Sequence, residues 1–233
     1  MRTRPQFINF ELFCLAVYLF FALADCSFAQ TKKSTVAKKG DKSKFDAVVG
    51  DETLSILRKE PSLYSPHLQR MQRGRKVNII GRKEADGVVF FLVVAEPKLQ
   101  GWVQSEAVFS TLRAGDDLRF SQLIRALSGY DQIEAAKIFV DFFENSELRP
   151  AMLLLLGDLS EEMAEKLSRD AALRLKRPEV PASGAPLYSY YLNFVGLDRF
   201  RKLGINFLFD EVSLRFHYNG EAWQEILQKY PKN

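Results

Sequence analysis

The spacing of apolar residues changes near residue 113 of this chain, and this change limits the folds open to it. Before that point the apolar residues form short runs rich in β-branched and aromatic types, such as Lys76–Gly81 and Val88–Val94. Such runs are too short for helices and predict strands. From 115 to 175, apolar residues recur every three or four positions, which predicts amphipathic helices. The sequence therefore predicts an α+β protein, with a β region followed by a mainly helical region.

Turn signals divide the β region, residues 46–112, into closely spaced strands. An apolar run at Leu54–Leu57 begins it, and Asp86-Gly87 predicts a tight hairpin between the two runs named above. A further turn is predicted from Pro97 to Gly101, before a last short strand at Gly101-Trp102-Val103. Short strands at this spacing predict a small β-barrel.

This stretch resembles a bacterial SH3 (SH3b) domain. The matching features are Leu57-Arg58 followed by Pro61-Ser62, Met71-Gln72-Arg73-Gly74 leading into Lys76, Asp86-Gly87, and Gly101-Trp102-Val103. Two features depart from the family pattern. The aromatic residue early in the third strand is Phe90 or Phe91 where a tryptophan is usual, and the loop Lys59–Arg70 is longer than a minimal one.

The resemblance implies an SH3-like barrel whose exposed aromatic side chains line a peptide groove. The candidate ligand-binding residues are Tyr64, Phe90 and Trp102. The alternative for Phe90 and Trp102 is a place in the core, because a domain of this size needs nearly all of its apolar area for stability.

Three helices are predicted at the start of the helical region, residues 115–233. The first spans Asp116–Leu127, and the third is expected to be capped by Asn145-Ser146 with Pro150 in its first turn. The apolar stripe of the second comprises Tyr130, Ile133, Ala136, Phe139, Val140 and Phe143. The second and third predicted helices, joined by a short turn, resemble a TPR-like repeat, and this resemblance implies a protein-interaction surface.

The rest of the helical region interrupts the helical pattern. Pro178, Pro181 and Pro186 predict a loop. A β-hairpin is predicted near 206–218, and a last helix at Ala222–Pro231. Between the loop and the hairpin lies an aromatic group, for which core packing and a second aromatic surface are the two interpretations. Its members are Tyr188, Tyr190, Tyr191, Phe194 and Phe200.

The amino terminus has the pattern of a secretory signal peptide. Arg2 and Arg4 precede an uncharged apolar segment, Leu12–Ala24, and Ser27-Phe28-Ala29 offers small residues for cleavage. This predicts a signal peptide at residues 1–29 and an exported protein, periplasmic or extracellular. Alternatives are a membrane anchor and lipidation at Cys26.

The positive charge of the chain is concentrated in one short segment. Residues 30–44 carry six lysines and one aspartate, a net +5, whereas the whole chain carries +4. With almost no large apolar residue, residues 30–45 are predicted to form a basic disordered linker. The remainder is nearly neutral, which argues against nucleic acid as a partner.

No catalytic or metal-binding pattern occurs in the sequence. Cys14 and Cys26 both precede the predicted cleavage point, and His67 and His217 lie in different predicted regions. The sequence contains neither an HExxH zinc motif nor a GxSxG nucleophile elbow. We therefore expect no enzymatic activity, no metal and no cofactor.

The sequence thus predicts an exported binding protein. Its SH3b-like region is expected to dock cell-wall peptide or a partner protein, and its helical region to offer a protein-interaction surface. The alternatives are an envelope protein–protein scaffold without wall binding and an auxiliary of a cell-wall hydrolase.

Overall fold

Seven short strands of the β region pair into one antiparallel sheet in this computed structural model, which describes residues 45–95, 99–176, 184 and 186–230. The strands are β1 (Ala47–Val49), β2 (Ile56–Arg58), β3 (His67–Arg70), β4 (Lys76–Ala85), β5 (Val88–Ala95), β6 (Leu99–Gln104) and β7 (Val108–Ser110). Their order across the sheet is β3-β2-β6-β5-β4-β1-β7. No ladder joins the edge strands β3 and β7 within the described residues. The predicted α+β class is confirmed, whereas a closed barrel stays a prediction.

The longest ladder in the sheet is the predicted hairpin between β4 and β5. Ala85 pairs with Val88, and the two residues between them, Asp86 and Gly87, have φ angles of 53° and 73°. A two-residue turn of this kind needs positive φ at both positions, which Asp-Gly adopts at low cost. This local chemistry fixes the hairpin and its register.

Three details of the β region differ from the sequence-based predictions. Strands β1 and β7 were not predicted, because each has only three residues, too few to show an alternation of apolar and polar side chains. Strand β3 occupies the end of the predicted loop Lys59–Arg70. Gly101, predicted to end a turn, lies inside β6 opposite Val93. A Cβ at Gly101 would lie 2.7 Å from Leu57 Cγ, so this glycine lets β2 and β6 approach closely.

The sheet buries one set of alternating residues in a core of its own. Phe91 and Val93 of β5 join Val103, Leu57 and Val77 in this cluster. Because successive strand residues point to opposite faces, Phe90 and Leu92 lie on the other face of β5.

The predicted helices form with closely matching bounds. They are α1 (Asp116–Ala126), α2 (Gly129–Phe142) and α3 (Arg149–Leu175). Ile133, Ala136, Phe139 and Val140 are buried along α2, which confirms its predicted apolar stripe.

The start of α3 differs slightly from the predicted cap. Ser146 accepts a hydrogen bond from the amide of Leu148 (3.2 Å) and donates one to Asp117 (2.6 Å). The helix itself begins at Arg149, with Pro150 in its first turn as predicted. Ser146 therefore ties the turn to α1 instead of capping α3.

The carboxyl-terminal part packs against α3. It comprises α4 (Leu187–Leu192), a 3-10 helix (Val195–Leu197), α5 (Asp198–Lys202), the strands β8 (Phe207–Asp210) and β9 (Arg215–Tyr218), and α6 (Glu221–Lys229). The predicted hairpin is confirmed, since β8 pairs with β9 in antiparallel register. Tyr191, Phe194 and Phe200 are buried, which confirms core packing for most of the aromatic group.

Besides the sheet's own core, a second hydrophobic cluster joins the β region to the helical region. Val48 of β1 and Phe109 of β7 belong to the same buried cluster as Phe120 and Phe139. Polar contacts reinforce this junction, because Arg73 Nη1 lies 3.0 Å from Glu134 of α2. The Arg73 side chain also donates to the carbonyl of Gly50 at 3.0 Å, so one guanidinium binds both regions.

The predicted signal peptide, Cys26 and most of the predicted basic linker lie outside the described residues, as do Pro97 and Pro178. In the described part of the chain, no helix has the length and hydropathy needed to cross a lipid bilayer.

Candidate functional site

The candidate site is built on the face of the sheet that points away from the sheet's own core. Trp102 of β6 pairs with Leu92 of β5 on one side and with Arg58 of β2 on the other. Directly opposed residues in a sheet share a face. Leu92, Trp102 and Arg58 therefore form one row across three strands, and Phe90 lies two residues from Leu92 on the same face.

A loop between β2 and β3, residues 59–66, is tied to this face by hydrogen bonds. The Arg58 guanidinium donates through Nη1 to the carbonyl of Ser65 at 2.8 Å. The amide of Glu60 donates to Ser65 Oγ at 3.0 Å, and the amide of Lys59 donates to the carbonyl of Pro66 at 3.3 Å. These contacts close the base of the loop.

The tip of the β4–β5 hairpin holds the middle of the same loop. Asp86 Oδ2 accepts hydrogen bonds from Ser62 Oγ (2.7 Å) and from the amide of Leu63 (2.9 Å). The bond from Ser62, followed by that from Leu63, lowers the pKa of Asp86 below its ordinary value. The loop therefore has anchors at both its base and its middle.

The three predicted ligand-binding residues have different environments. Tyr64 follows directly on the Asp86 anchor and has 89 % of its surface exposed. Trp102 is half-buried. Phe90 is completely buried, so its ring packs inside the protein and is not available to a ligand in this structure. Burial of Phe90 matches the alternative that the sequence left open.

The structure brings Phe90 and Trp102 to one face but keeps Tyr64 apart from both rings. Tyr64 makes no ring-to-ring contact with another aromatic residue of the described ranges. An exposed phenol and a half-buried indole can both pack against a ligand and offer it hydrogen-bond donors.

Arg58 is a residue that the sequence did not single out for this site. Its Nε atom is buried and has no hydrogen-bond partner among the described residues, although Nη1 is bonded to Ser65. Its role depends on the pairing of β2 with β6, which is a tertiary feature. The site therefore combines aromatic surface with one guanidinium.

The two histidines lie in separate, dissimilar places. His67 is exposed on the edge strand β3. His217 Nδ1 lies 3.4 Å from Glu161, whose other carboxylate oxygen accepts the amide of Tyr218 at 2.9 Å. Glu161 thus holds β9 against α3. Across the described ranges, no three histidine, cysteine or carboxylate side chains are grouped as a metal site would require.

A cleft of about 510 Å³ lies at the junction of the two regions, and sequence reasoning missed it. Its walls come from Phe45, from Lys76 of β4, from the stretch 110–117 between β7 and α1, and from residues 141–146 at the end of α2 and in the turn after it. One pair of its polar side chains is hydrogen-bonded, since Ser146 Oγ donates to Asp117 Oδ2 at 2.6 Å. Because four separate segments form the cleft, no local pattern in the sequence marks it.

Comparison with known proteins gives no match, whether with protein-family models, curated proteins or solved structures. The resemblances to SH3b domains and to TPR-like repeats therefore rest on the residues of this chain alone.

Proposed function

We propose that this chain is an exported, non-catalytic binding protein that docks cell-wall peptide on an SH3b-like β region. The observation that carries the proposal is the anchoring of the 59–66 loop, which holds Tyr64 with 89 % of its surface exposed. A loop fixed in advance loses little entropy on binding, and an exposed tyrosine offers a ligand an apolar ring together with a hydroxyl group.

The fold features that support an SH3b-like region are the short antiparallel strands and their connections. The chain passes from β6 through a 3-10 helix, Ser105–Ala107, into β7. Two motifs of the SH3b resemblance coincide with features of the sheet. Asp86-Gly87 forms the turn between β4 and β5, and Gly101-Trp102-Val103 lies within β6. A peptide would pack on Tyr64 and Trp102 and accept a hydrogen bond from the Arg58 guanidinium.

The helical region is proposed to act as a TPR-like protein-interaction surface. The packing of α2 on α3 and the burial of Arg149 against α6 support a rigid helical body. Export is proposed from residues 1–29, which lie outside the described residues.

The test is co-sedimentation with purified cell-wall sacculi. We expect the chain from residue 30 onward to sediment with sacculi, and both Tyr64→Ala and Trp102→Ala to weaken sedimentation by about tenfold or more. The matched control is Tyr188→Ala, another exposed tyrosine, which lies on the helical region. Folding of each variant is checked by circular dichroism.

Two outcomes would oppose wall binding. If Tyr64→Ala and Tyr188→Ala sediment equally with sacculi, wall binding does not use the face that carries Tyr64. If the parent chain stays in the supernatant but crosslinks to one envelope protein, the scaffold without wall binding is the better function.

A further inference from the structure

An apolar patch lies exposed on the carboxyl-terminal part of the helical region. We call it the α4 patch. Its members are Leu187 (45 % exposed), Tyr188 (48 %), Leu192 (47 %) and Val195 (65 %). These four large apolar side chains lie within nine residues, and each has nearly half or more of its surface in water. Such a cluster differs from single exposed apolar residues, which are normal on protein surfaces.

The packing of α4 explains why these side chains point outwards. Tyr191 is buried and stacks on Phe209 of β8, with 4.5 Å between the ring centroids. Tyr190 donates a hydrogen bond to the carbonyl of Ala171 on α3 at 3.4 Å. Tyr188 and Leu192, four residues apart, share one side of the helix. Because α4 is fixed through Tyr190 and Tyr191, this side stays in solvent.

Cationic side chains adjoin the α4 patch. Arg201 Nη2 donates to the carbonyl of Leu192 at 2.8 Å, and Arg174 lies over the Phe194 ring at 5.4 Å. Arg199 and Lys202 are exposed on α5, next along the chain. Residues 187–202 contain two arginines and one lysine against a single aspartate.

We propose that the α4 patch docks on the surface of an anionic lipid bilayer. Exposed leucine and tyrosine side chains enter the boundary between headgroups and acyl chains, where tyrosine is favoured by its apolar ring and polar hydroxyl. Lysine and arginine beside them are attracted to anionic headgroups. The charge beside the patch selects a negatively charged surface, and this binding does not depend on the wall-binding proposal.

Vesicle co-sedimentation tests the proposal with the chain from residue 30 onward, which retains every described residue. The double variant Tyr188→Ser/Leu192→Ser is compared with Leu154→Ser/Leu227→Ser, which removes two other exposed leucines (52 % and 76 %). All proteins carry the same lysine-rich segment, so its attraction to the vesicles is common to all of them. The probes are vesicles of phosphatidylglycerol mixed with phosphatidylcholine, and vesicles of phosphatidylcholine alone.

The parent chain and the control are expected to bind the anionic vesicles, and the patch variant to bind them about tenfold more weakly. Lys202→Glu is expected to weaken anionic binding about fivefold and to leave the weak binding to phosphatidylcholine unchanged. Equal partitioning of the patch variant and the control would overturn the proposal. So would self-association of the parent chain that the patch variant loses, since a second copy would then cover the patch. Sacculus binding is measured separately, so failure here leaves the wall-binding result intact.

Discussion

The ring of Phe109, on β7, stacks on the ring of Phe120, on α1, with 4.5 Å between centroids and 21° between planes. Phe120 is completely buried and also contacts Phe139 and Phe143 of the helical region. One aromatic stack thus joins the β region to the helical core, and the two regions are expected to unfold together.

The two tryptophans make this expectation measurable, because Trp102 lies in the sheet and Trp223 on α6. Trp223→Phe leaves Trp102 as the fluorescent probe of the sheet, and Trp102→Phe leaves Trp223 as the probe of the helical region. After allowance for the stability cost of each substitution, the two urea transitions should have the same midpoint. Phe120→Ala should lower the free energy of unfolding reported by both probes by about 3–5 kcal/mol, since it leaves a cavity at the junction. Leu118→Ala, at an exposed position of the same helix, should change it by less than about 0.5 kcal/mol. Two separate transitions would contradict a shared core.

The lack of a side chain at Gly157 on α3 leaves room for the indole of Trp223. A Cβ built on Gly157 would lie 2.1 Å from Trp223 Nε1, well inside van der Waals contact. Gly157→Ala should therefore displace α6 and lower the free energy of unfolding by about 1–3 kcal/mol, with a shift in Trp223 fluorescence. The exposed Leu154→Ala on the same helix is the control. An unchanged emission maximum in Gly157→Ala would show that the indole does not occupy this position.

Ser168 is expected to hold the β8–β9 hairpin on α3. Its hydroxyl donates to the carbonyl of Ala164 (2.7 Å) and accepts the buried amide of Phe216 (2.8 Å). Among the described residues, Ser168 Oγ is the one acceptor found for this amide, so Ser168→Ala should lower the free energy of unfolding by about 1–3 kcal/mol.

Ser121→Ala is the matched control for Ser168. Ser121 is also buried, but its hydroxyl donates to the carbonyl of Leu118 at 2.7 Å and accepts no hydrogen bond from the part of the chain that the structure describes. Urea denaturation of both variants should show the larger loss for Ser168→Ala. Equal losses would mean that the amide of Phe216 finds another partner.

The anchoring of the Tyr64 loop should depend on pH through Asp86. The two hydrogen bonds lower the pKa of Asp86, so its carboxylate contributes fully above the unfolded value of 3.8 and the contribution is lost as pH falls through the folded pKa. In a nuclear magnetic resonance titration, the amide of Leu63 should keep its hydrogen-bonded chemical shift at pH values above about 4 and lose it at lower pH.

Asp86→Gly tests the same anchor at neutral pH. Glycine keeps the positive φ that the turn requires but has no carboxylate. The variant should retain the hairpin while the Leu63 amide shifts as it does in acid. A Leu63 amide that is indifferent both to acid and to Asp86→Gly would contradict the anchor.

The helices and the long hairpin could be predicted because each depends on local chemistry. The three-to-four-residue spacing of Ile133, Ala136, Phe139 and Val140 commits α2 to one buried face, and Asp86-Gly87 specifies its turn wherever it lies. The three-residue strands β1 and β7 could not be predicted, because so short a segment becomes a strand only when a partner supplies its hydrogen bonds.

The candidate site was predictable in residue type but not in exposure. Trp102, Phe90 and Tyr64 are all aromatic, and the sequence could not say which of them faces water. The exposure of Tyr64 goes with the 59–66 loop, which is held by Asp86 in the distant β4–β5 turn and by Arg58 at the end of β2.

Local sequence patterns are enough to specify the α+β class, the positions of most helices and strands, and the turn of the β4–β5 hairpin, because periodicity and turn preference act over a few neighbouring residues. The burial of Phe90, the exposure of Tyr64 and the joining of the two regions through Phe109 and Phe120 follow from the folded arrangement instead. These properties arise from contacts between residues distant in the chain, and burial depends on which distant segment covers a side chain.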